Sequence, residues 1–511
     1  MVGSRRALTQ EDAAAYDLRD QPNPIRPVES LMQTILSVCL VAMLHASVLA
    51  QGAGTLTEAE KDALAAALAE LRQARLVKGS KGEKGIEKAS ETLRVNLEKA
   101  KNAHKDQDLL RSVDDWMDVF ARVNAHGKVQ KPDGCGRLRE DRVDHTERGK
   151  EIGFEYALYL PPNYDGRKAW PLIIALHDKG SSGRKYLEES LLKNDKDLRE
   201  LRDQFVIIAP TIGERTAGKK ASDQMRIDWF GPVHYFGIRK CLGEALRICN
   251  IDTSRIHLDG CGDGARAALD LASLQPKLFA SVAVRNAAPR AQAILGNLKG
   301  QAAVMFVTRE NQLFASNDGG ILKSQLENAR ASAGVEMEFK TLPALDASKE
   351  RTALGSQKVD PVTDANKDVL SWFAARARKP FPEAITYITD DLGQYKRAAW
   401  FVIDRGDADK EAGMSVVVDA TLDRAANAVR IKCTNLQSCR IYLNDRLLDL
   451  DKPVKVFMND KEILEAKVER SMDYMLNYAN ENPMDASAVM VGEVRVTVPE
   501  EKPAEPAKSG G

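Results

Sequence analysis

The stretch Arg255-Ile256-His257-Leu258-Asp259-Gly260-Cys261-Gly262-Asp263-Gly264 runs from a short apolar strand into a glycine-rich turn and then a helix. That is the layout of a nucleophile elbow, a tight turn that holds its central side chain in strained backbone geometry at the top of a sheet. Acyl transfer at such an elbow uses Gly-x-Ser-x-Gly, and the apex here is Gly262. Glycine tolerates the geometry readily but supplies no oxygen or sulfur to attack a carbonyl. Cys261 lies one residue early. Its own frame would place Asp259 and Asp263 where small residues are needed, and the shift turns a thiol away from the apex. Cys261 reads as a small residue filling space beside the strand, and catalysis by it is the weak alternative.

The surrounding elements must carry this turn. Phe154, Tyr156, Leu158 and Leu160 alternate as in a half-buried strand ending at Pro161-Pro162. Short continuous apolar runs at 171–176 and 205–209 suit strands buried on both faces of a parallel sheet, and 256–258, 281–284, 304–307 and 337–342 continue the series. Helical segments near 184–203, 234–249, 263–274 and 319–332 separate them. Strand alternating with helix in this rhythm predicts an α/β fold, a mostly parallel sheet covered by helices.

Two further segments carry a family resemblance. Tyr156-Ala-Leu-Tyr-Leu-Pro-Pro-Asn-Tyr164 with Trp170-Pro-Leu-Ile-Ile-Ala-Leu-His-Asp-Lys-Gly180 resembles the opening of exported bacterial esterases and prolyl-oligopeptidase-like hydrolases. Ile251-Asp252-Thr253-Ser254-Arg255-Ile256, the glycine turn, and Gln275-Pro276-Lys277-Leu278-Phe279-Ala280 resemble the elbow region of the same α/β-hydrolase superfamily, to which dienelactone hydrolases also belong. The resemblance covers roughly residues 150–380 and implies an α/β-hydrolase-like sheet. Function is a separate matter, because it resides in the site.

The family's chemistry needs a nucleophile, an acid and a histidine, in that chain order. All seven histidines, His45, His104, His126, His145, His177, His234 and His257, precede Gly262. By the resemblance, the base belongs in the loop Leu342-Pro343-Ala344-Leu345-Asp346-Ala347-Ser348, which has no histidine. Glu310 and Asp318 stand near the acid's place and read as surface acids with no histidine to orient. Without a base a hydroxyl stays protonated and weakly nucleophilic. His177-Asp178-Lys179-Gly180 occupies the place of the loop whose backbone N–H groups help build an oxyanion hole, although Asp178 and Asp263 bring negative charge to it. Ser181 and Ser182 follow as alternative nucleophiles, and read otherwise as part of a flexible loop.

The flanks read as separate units. The first fifty residues form a leader whose signal peptide has its core at 33–50, with the apolar run Ile35–Leu44 too short to span a membrane. Val48 and Ala50 put Gln51 first in the mature chain, and Met32 is a candidate start. Residues 51–130 form a small helical domain. Thr57 and Glu60 make a capping box, and Leu64, Leu68 and Leu71, then Ile86, Leu93 and Leu97, then Leu109, Val113, Trp116 and Phe120, mark apolar faces. The bundle is expected to dock on the α/β-hydrolase-like domain, residues 131–380. After Lys379-Pro380-Phe381-Pro382 comes a β-rich C-terminal domain, 381–499, with one helix near 466–480, and then a proline- and lysine-rich tail, 500–511. That arrangement resembles the C-terminal extension of some exported bacterial hydrolases.

Charge and cysteines narrow the partners. With 74 acidic and 74 basic residues among 511, the chain carries no electrostatic footprint for nucleic acid. Six cysteines remain after the leader: Cys135, Cys241, Cys249, Cys261, Cys433 and Cys439. The pair expected first is Cys433–Cys439, at facing ends of a hairpin over 429–443. No spacing suits zinc, so no metal or cofactor is expected, and no membrane span after signal cleavage. The expectation is an exported protein of the bacterial periplasm or envelope, a degenerate esterase or peptidase homologue. It would bind an ester- or peptide-like ligand or an envelope protein, with an active hydrolase using an unconventional nucleophile as the alternative.

Overall fold

The computed structural model describes residues 54–498 apart from internal segments, the longest being 212–228 and 345–361. The leader with its expected signal peptide and the tail lie outside the described residues. Three helices come first, α1 (Glu58–Leu76), α2 (Ser80–Ala103) and α3 (Val113–His126). The capping box at Thr57 forms as read: its hydroxyl accepts from Glu60 N while Glu60 Oε2 accepts from Thr57 N at 2.8 Å. Gly79, at φ 77°, separates α1 from α2.

The α/β part alternates β1 (Leu138–Glu147), β2 (Lys150–Tyr159), β3 (Trp170–Leu176), α4 (Gly183–Glu189), α5 (Lys196–Arg202), β4 (Val206–Thr211), α6 (Pro232–Ile248), β5 (Ile251–Cys261), α7 (Asp263–Leu274), β6 (Ser281–Arg285) and β7 (Ala303–Arg309). After the short β8 (Ser316–Asn317) and β9 (Gly320–Ile321) come α8 (Leu322–Arg330), β10 (Met337–Leu342) and α9 (Asn366–Ala374). Eight strands form one sheet in the order β1-β2-β4-β3-β5-β6-β7-β10. β1 and β2 run antiparallel to their neighbours, and the rest are parallel. Every residue of β3, β6 and β7 is buried, which is why those strands read as unbroken apolar runs. One face packs on α6, α7 and α8 through Leu242, Leu269 and Leu326; the other packs on α4, α5 and α9 through Leu187, Leu198 and Phe373.

Two details depart from the sequence reading. The helix expected over 184–203 is two helices, because Asp195 starts α5 by accepting from Asp197 N and Leu198 N. β1 precedes the first expected strand. Its charged residues 140–142 and 144 are exposed and show no alternation, as suits an edge strand that must resist further pairing.

The remaining chain forms two sheets and a helix. Strands β11 (Ala384–Thr389), β12 (Arg397–Ala398), β13 (Phe401–Gly406), β14 (Val416–Asp423), β15 (Ala428–Thr434), β16 (Leu436–Leu443), β17 (Val454–Met458), β18 (Lys461–Ala466) and β19 (Gly492–Thr497) are joined by α10 (Met472–Glu481). They order as β11-β14-β15-β17-β18 and β12-β13-β16-β19. β15 and β16 thus belong to different sheets and make no hairpin. Cys433 and Cys439, expected as a disulfide, are free thiols on separate sheets.

The helices α1–α3 do not have a core of their own facing the parallel sheet. Leu64, Leu93, Trp116 and Val119 belong to one continuous cluster with Trp400, Ile441, Leu447 and Met475 of the β-rich part. Arg446 binds Asp114 at 2.6 Å, Arg470 reaches Asp108 at 3.4 Å, and Arg111 pairs with Asp451. An apolar stripe shows which face is covered without showing by what, so the docking partner differs from the expected one. The β-rich part meets the amino-terminal end of the parallel strands, where Asn297 Nδ2 donates to Ser273 O (3.0 Å) and Ile388 O (2.9 Å) and Tyr387 OH donates to Leu274 O (3.1 Å).

Candidate functional site

The carboxyl ends of β3, β5, β6 and β7 lie side by side, with Leu176 paired to Gly260 and Cys261 to Arg285. Glycines make the β5-to-α7 turn possible at three points. A Cβ on Gly260 would press on the Ala265 and Gly264 backbone, and one on Gly264 would press on the carbonyls of Leu176 and His177. Gly262 itself has φ 56° and ψ −120°, a conformation that strains any other residue. Its N–H donates to Arg285 O at 3.1 Å, and its carbonyl accepts from Ala265 N at 3.1 Å, so the turn is fixed on both sides.

The apex space is filled from the loop after β3. A Cβ built on Gly262 would fall on the Asp178 carboxylate, and Asp178 Oδ1 accepts from Asp263 N at 2.9 Å. Gly262 is the N-cap residue of α7 and has no side chain to cap it. Asp178 supplies that cap from the loop after β3, placing a carboxylate where the helix N-terminus favours negative charge. The N–H after the apex, the donor an oxyanion would need, is therefore already engaged by the chain's own acid.

His177 and Ser181 of the same loop are also held by hydrogen bonds. His177 is buried, its Nδ1 donates to Asp178 O at 2.7 Å, and its carbonyl accepts from Trp229 Nε1 at 2.6 Å. Burial holds its pKa below the ordinary histidine value. Lys179 and Gly180 are exposed, and Gly180, at φ 73°, turns the chain so that Ser181 N meets Asp178 O. Ser182 caps α4 by accepting from Lys185 N at 3.2 Å. Cys261 is 1% exposed within the layer beneath α4 and α9. Glu310 is exposed in a short turn after β7. Asp318 and residues 345–348 of the base loop lie outside the described residues. Among the described residues no group of three His, Cys, Asp or Glu side chains is placed to hold a metal, and no helix is long and apolar enough to cross a membrane.

Below the turn lies a polar assembly that strand patterning did not single out. Residues 257, 259 and 261 of β5 share one face. Asp259 and Arg285, both wholly buried, pair at 2.7 Å. Tyr186 OH donates to Asp259 Oδ2 at 3.1 Å, and Arg285 Nη1 donates to Asn366 Oδ1 at 2.7 Å and Val362 O at 3.3 Å. Burial works against the charge on Arg285, but the Asp259 carboxylate outweighs it and holds the guanidinium protonated. The signal in the sequence was partial: β6 carries one charge, Arg285, at its end, whereas Asp259 shares β5 with Asp252 and Arg255.

His257 belongs to the same layer. Its ring stacks on Phe373 at 4.8 Å, Nδ1 contacts Ser281 Oγ at 2.8 Å, and Nε2 has no partner among the described residues. Burial, aided by the Arg255 charge, pushes its pKa down to about 3. The folded protein keeps this ring neutral where the unfolded chain, with a pKa of about 6.5, takes a proton. Its contribution to stability is thus complete above pH 6.5 and is lost as pH falls, at up to about 1.4 kcal/mol per pH unit. Urea unfolding of wild type and His257→Phe across pH 7.5 to 5 should show the steeper loss in wild type; parallel curves would show that the ring is not desolvated.

Fold and site together define an α/β-hydrolase architecture, a mostly parallel eight-stranded sheet carrying a strand-turn-helix elbow with glycine at its apex. No family model and no curated protein matches the chain. Among solved structures, a thermostable esterase is 16% identical over 47% of this chain and 63% of its own, with a TM-score of 0.35. The similarity thus spans less than two thirds of that esterase. The S-formylglutathione hydrolase of Staphylococcus aureus is 13% identical over 47% of this chain and 98% of its own (TM-score 0.34). Its counterpart from Agrobacterium tumefaciens is 14% identical over 46% and 95% (TM-score 0.33). Similarities of this size assign neither activity nor substrate.

Proposed function

We propose that this chain is an exported, non-catalytic member of the α/β-hydrolase architecture, serving as a binding or structural protein of a bacterial envelope. The observation that carries this reading is the Asp178 carboxylate, which stands in the side-chain space of the missing nucleophile and engages the Asp263 N–H. Three losses coincide: no nucleophile at Gly262, no histidine after it, and no free donor at the elbow. Each alone costs orders of magnitude in rate. The buried Cys261 and the helix-capping Ser182 offer no replacement. Export rests on the apolar segment and small residues of the leader.

The test is direct. Purified protein should turn over no short-chain acyl ester and should take up no fluorophosphonate label. Labelling that disappears on replacing a single serine or cysteine would establish a nucleophile and overturn the reading.

A further inference from the structure

Three cations gather at the junction of the parallel sheet and the β-rich part, remote from the elbow. Lys277 lies in the turn Pro276–Leu278 after α7, Arg378 follows α9, and Arg397 begins β12. One carboxylate serves them: Arg378 pairs with Asp485, both side chains being 3% exposed. Lys277 and Arg397 instead converge on one neutral atom. Lys277 Nζ donates to Asn482 Oδ1 at 3.4 Å, and Arg397 Nη1 donates to the same oxygen. No carboxylate pairs with either among the described residues.

The surroundings hold this arrangement in place. Asn482 Nδ2 donates to Tyr478 O at 2.8 Å, which keeps the amide oxygen turned towards the cations. The Arg397 guanidinium lies 4.8 Å from the Tyr442 ring and 4.9 Å from the Tyr478 ring, and also donates to Tyr478 OH. Burial, together with the positive charges of Arg397, Arg378 and Arg239 set against the single Asp485, pushes the Lys277 pKa down to about 7. The acids of the stretch 481–488 are Glu481 and Asp485, and Asp485 is taken by Arg378. Two like charges facing one uncharged acceptor in a partly desolvated place repel each other. A dianion between them would remove that repulsion, and a guanidinium fork suits tetrahedral oxyanions.

We propose that Lys277 and Arg397 form a binding site for a doubly charged tetrahedral oxyanion, a sulfate or a phosphate group, that bridges the parallel sheet and the β-rich part. The site is independent of the elbow and of whether the elbow is catalytic. Such an anion ties Lys277, on the sheet side, to Arg397, Tyr478 and Asn482 on the other, so its occupancy strengthens the junction.

Titration calorimetry with sulfate on the full chain, with chloride balancing ionic strength, tests this. Sulfate stays dianionic between pH 6 and 8.5, so any pH dependence reports the protein. One saturable site is expected, tighter at pH 6 by about tenfold as Lys277 gains its proton, with a matching rise in Tm. Lys277→Gln should weaken binding by about tenfold or more and remove the pH dependence. Arg397→Lys keeps the charge and should still lose affinity through the missing fork. Inorganic phosphate and glycerol phosphate, compared in the same way, separate a free anion from a phosphate carried on a larger molecule. Absence of saturable binding in wild type, or equal binding by wild type and Lys277→Gln, would overturn the proposal.

Discussion

Replacing Arg285 with methionine should lower stability by about 3–5 kcal/mol, the cost of leaving a buried carboxylate without its partner. Asp259 has no exposure, and its remaining neighbour Tyr186 can offer one hydroxyl. The substitution also removes the donor to Val362 O and Asn366 Oδ1, which ties β6 to the start of α9. Val362, a β-branched residue at φ 51° and ψ 52°, sits in an uncommon conformation that this bond helps to hold. Adding Asp259→Leu should recover much of the loss, because an apolar pair needs no counter-charge. Urea unfolding of the two single variants and the double variant reads this as a coupling energy. A loss below about 1 kcal/mol for Arg285→Met would mean that solvent reaches Asp259.

Gly262→Ser should be both destabilised and inert. A seryl side chain at φ 56° carries about 1–3 kcal/mol of backbone strain, and its Cβ falls on the Asp178 carboxylate, which adds about 1–3 kcal/mol of overpacking. Asp178→Gly alone should cost about 0.5–2 kcal/mol through the lost cap on α7. The double variant should then be more stable than the two costs summed, since removing Asp178 vacates the space the serine needs. Strict additivity would show that the carboxylate does not occupy that space. Neither variant should hydrolyse an ester, because no histidine follows the elbow; measurable turnover would reveal a base elsewhere.

The elbow's architecture was legible because backbone approach selects for glycine: Gly260 and Gly264 sit where any side chain would meet main-chain atoms. Buried strands were legible for a similar reason, since two covered faces leave no room for polar alternation. What covers a given surface was not. Asp178 meets Asp263 across 85 residues, and nothing local distinguishes a capping acid from one that faces solvent. Arg285 left a trace as the one charge of β6, but only the register placed it beside Asp259. β1 left none, because an exposed, charged edge strand lacks the alternation that marks a half-buried one.

The shared core of α1–α3 and the β-rich part gives the order of synthesis a physical consequence. Asp114 and Arg446 are 332 residues apart. At roughly 5–20 residues per second, the chain needs about 20–70 s to bring the second after the first. Throughout that interval Leu64, Trp116 and Val119 have no final cover, while the parallel sheet between them and their partners can complete itself. The final cover of the N-terminal stripe thus depends on residues synthesised after the whole parallel sheet.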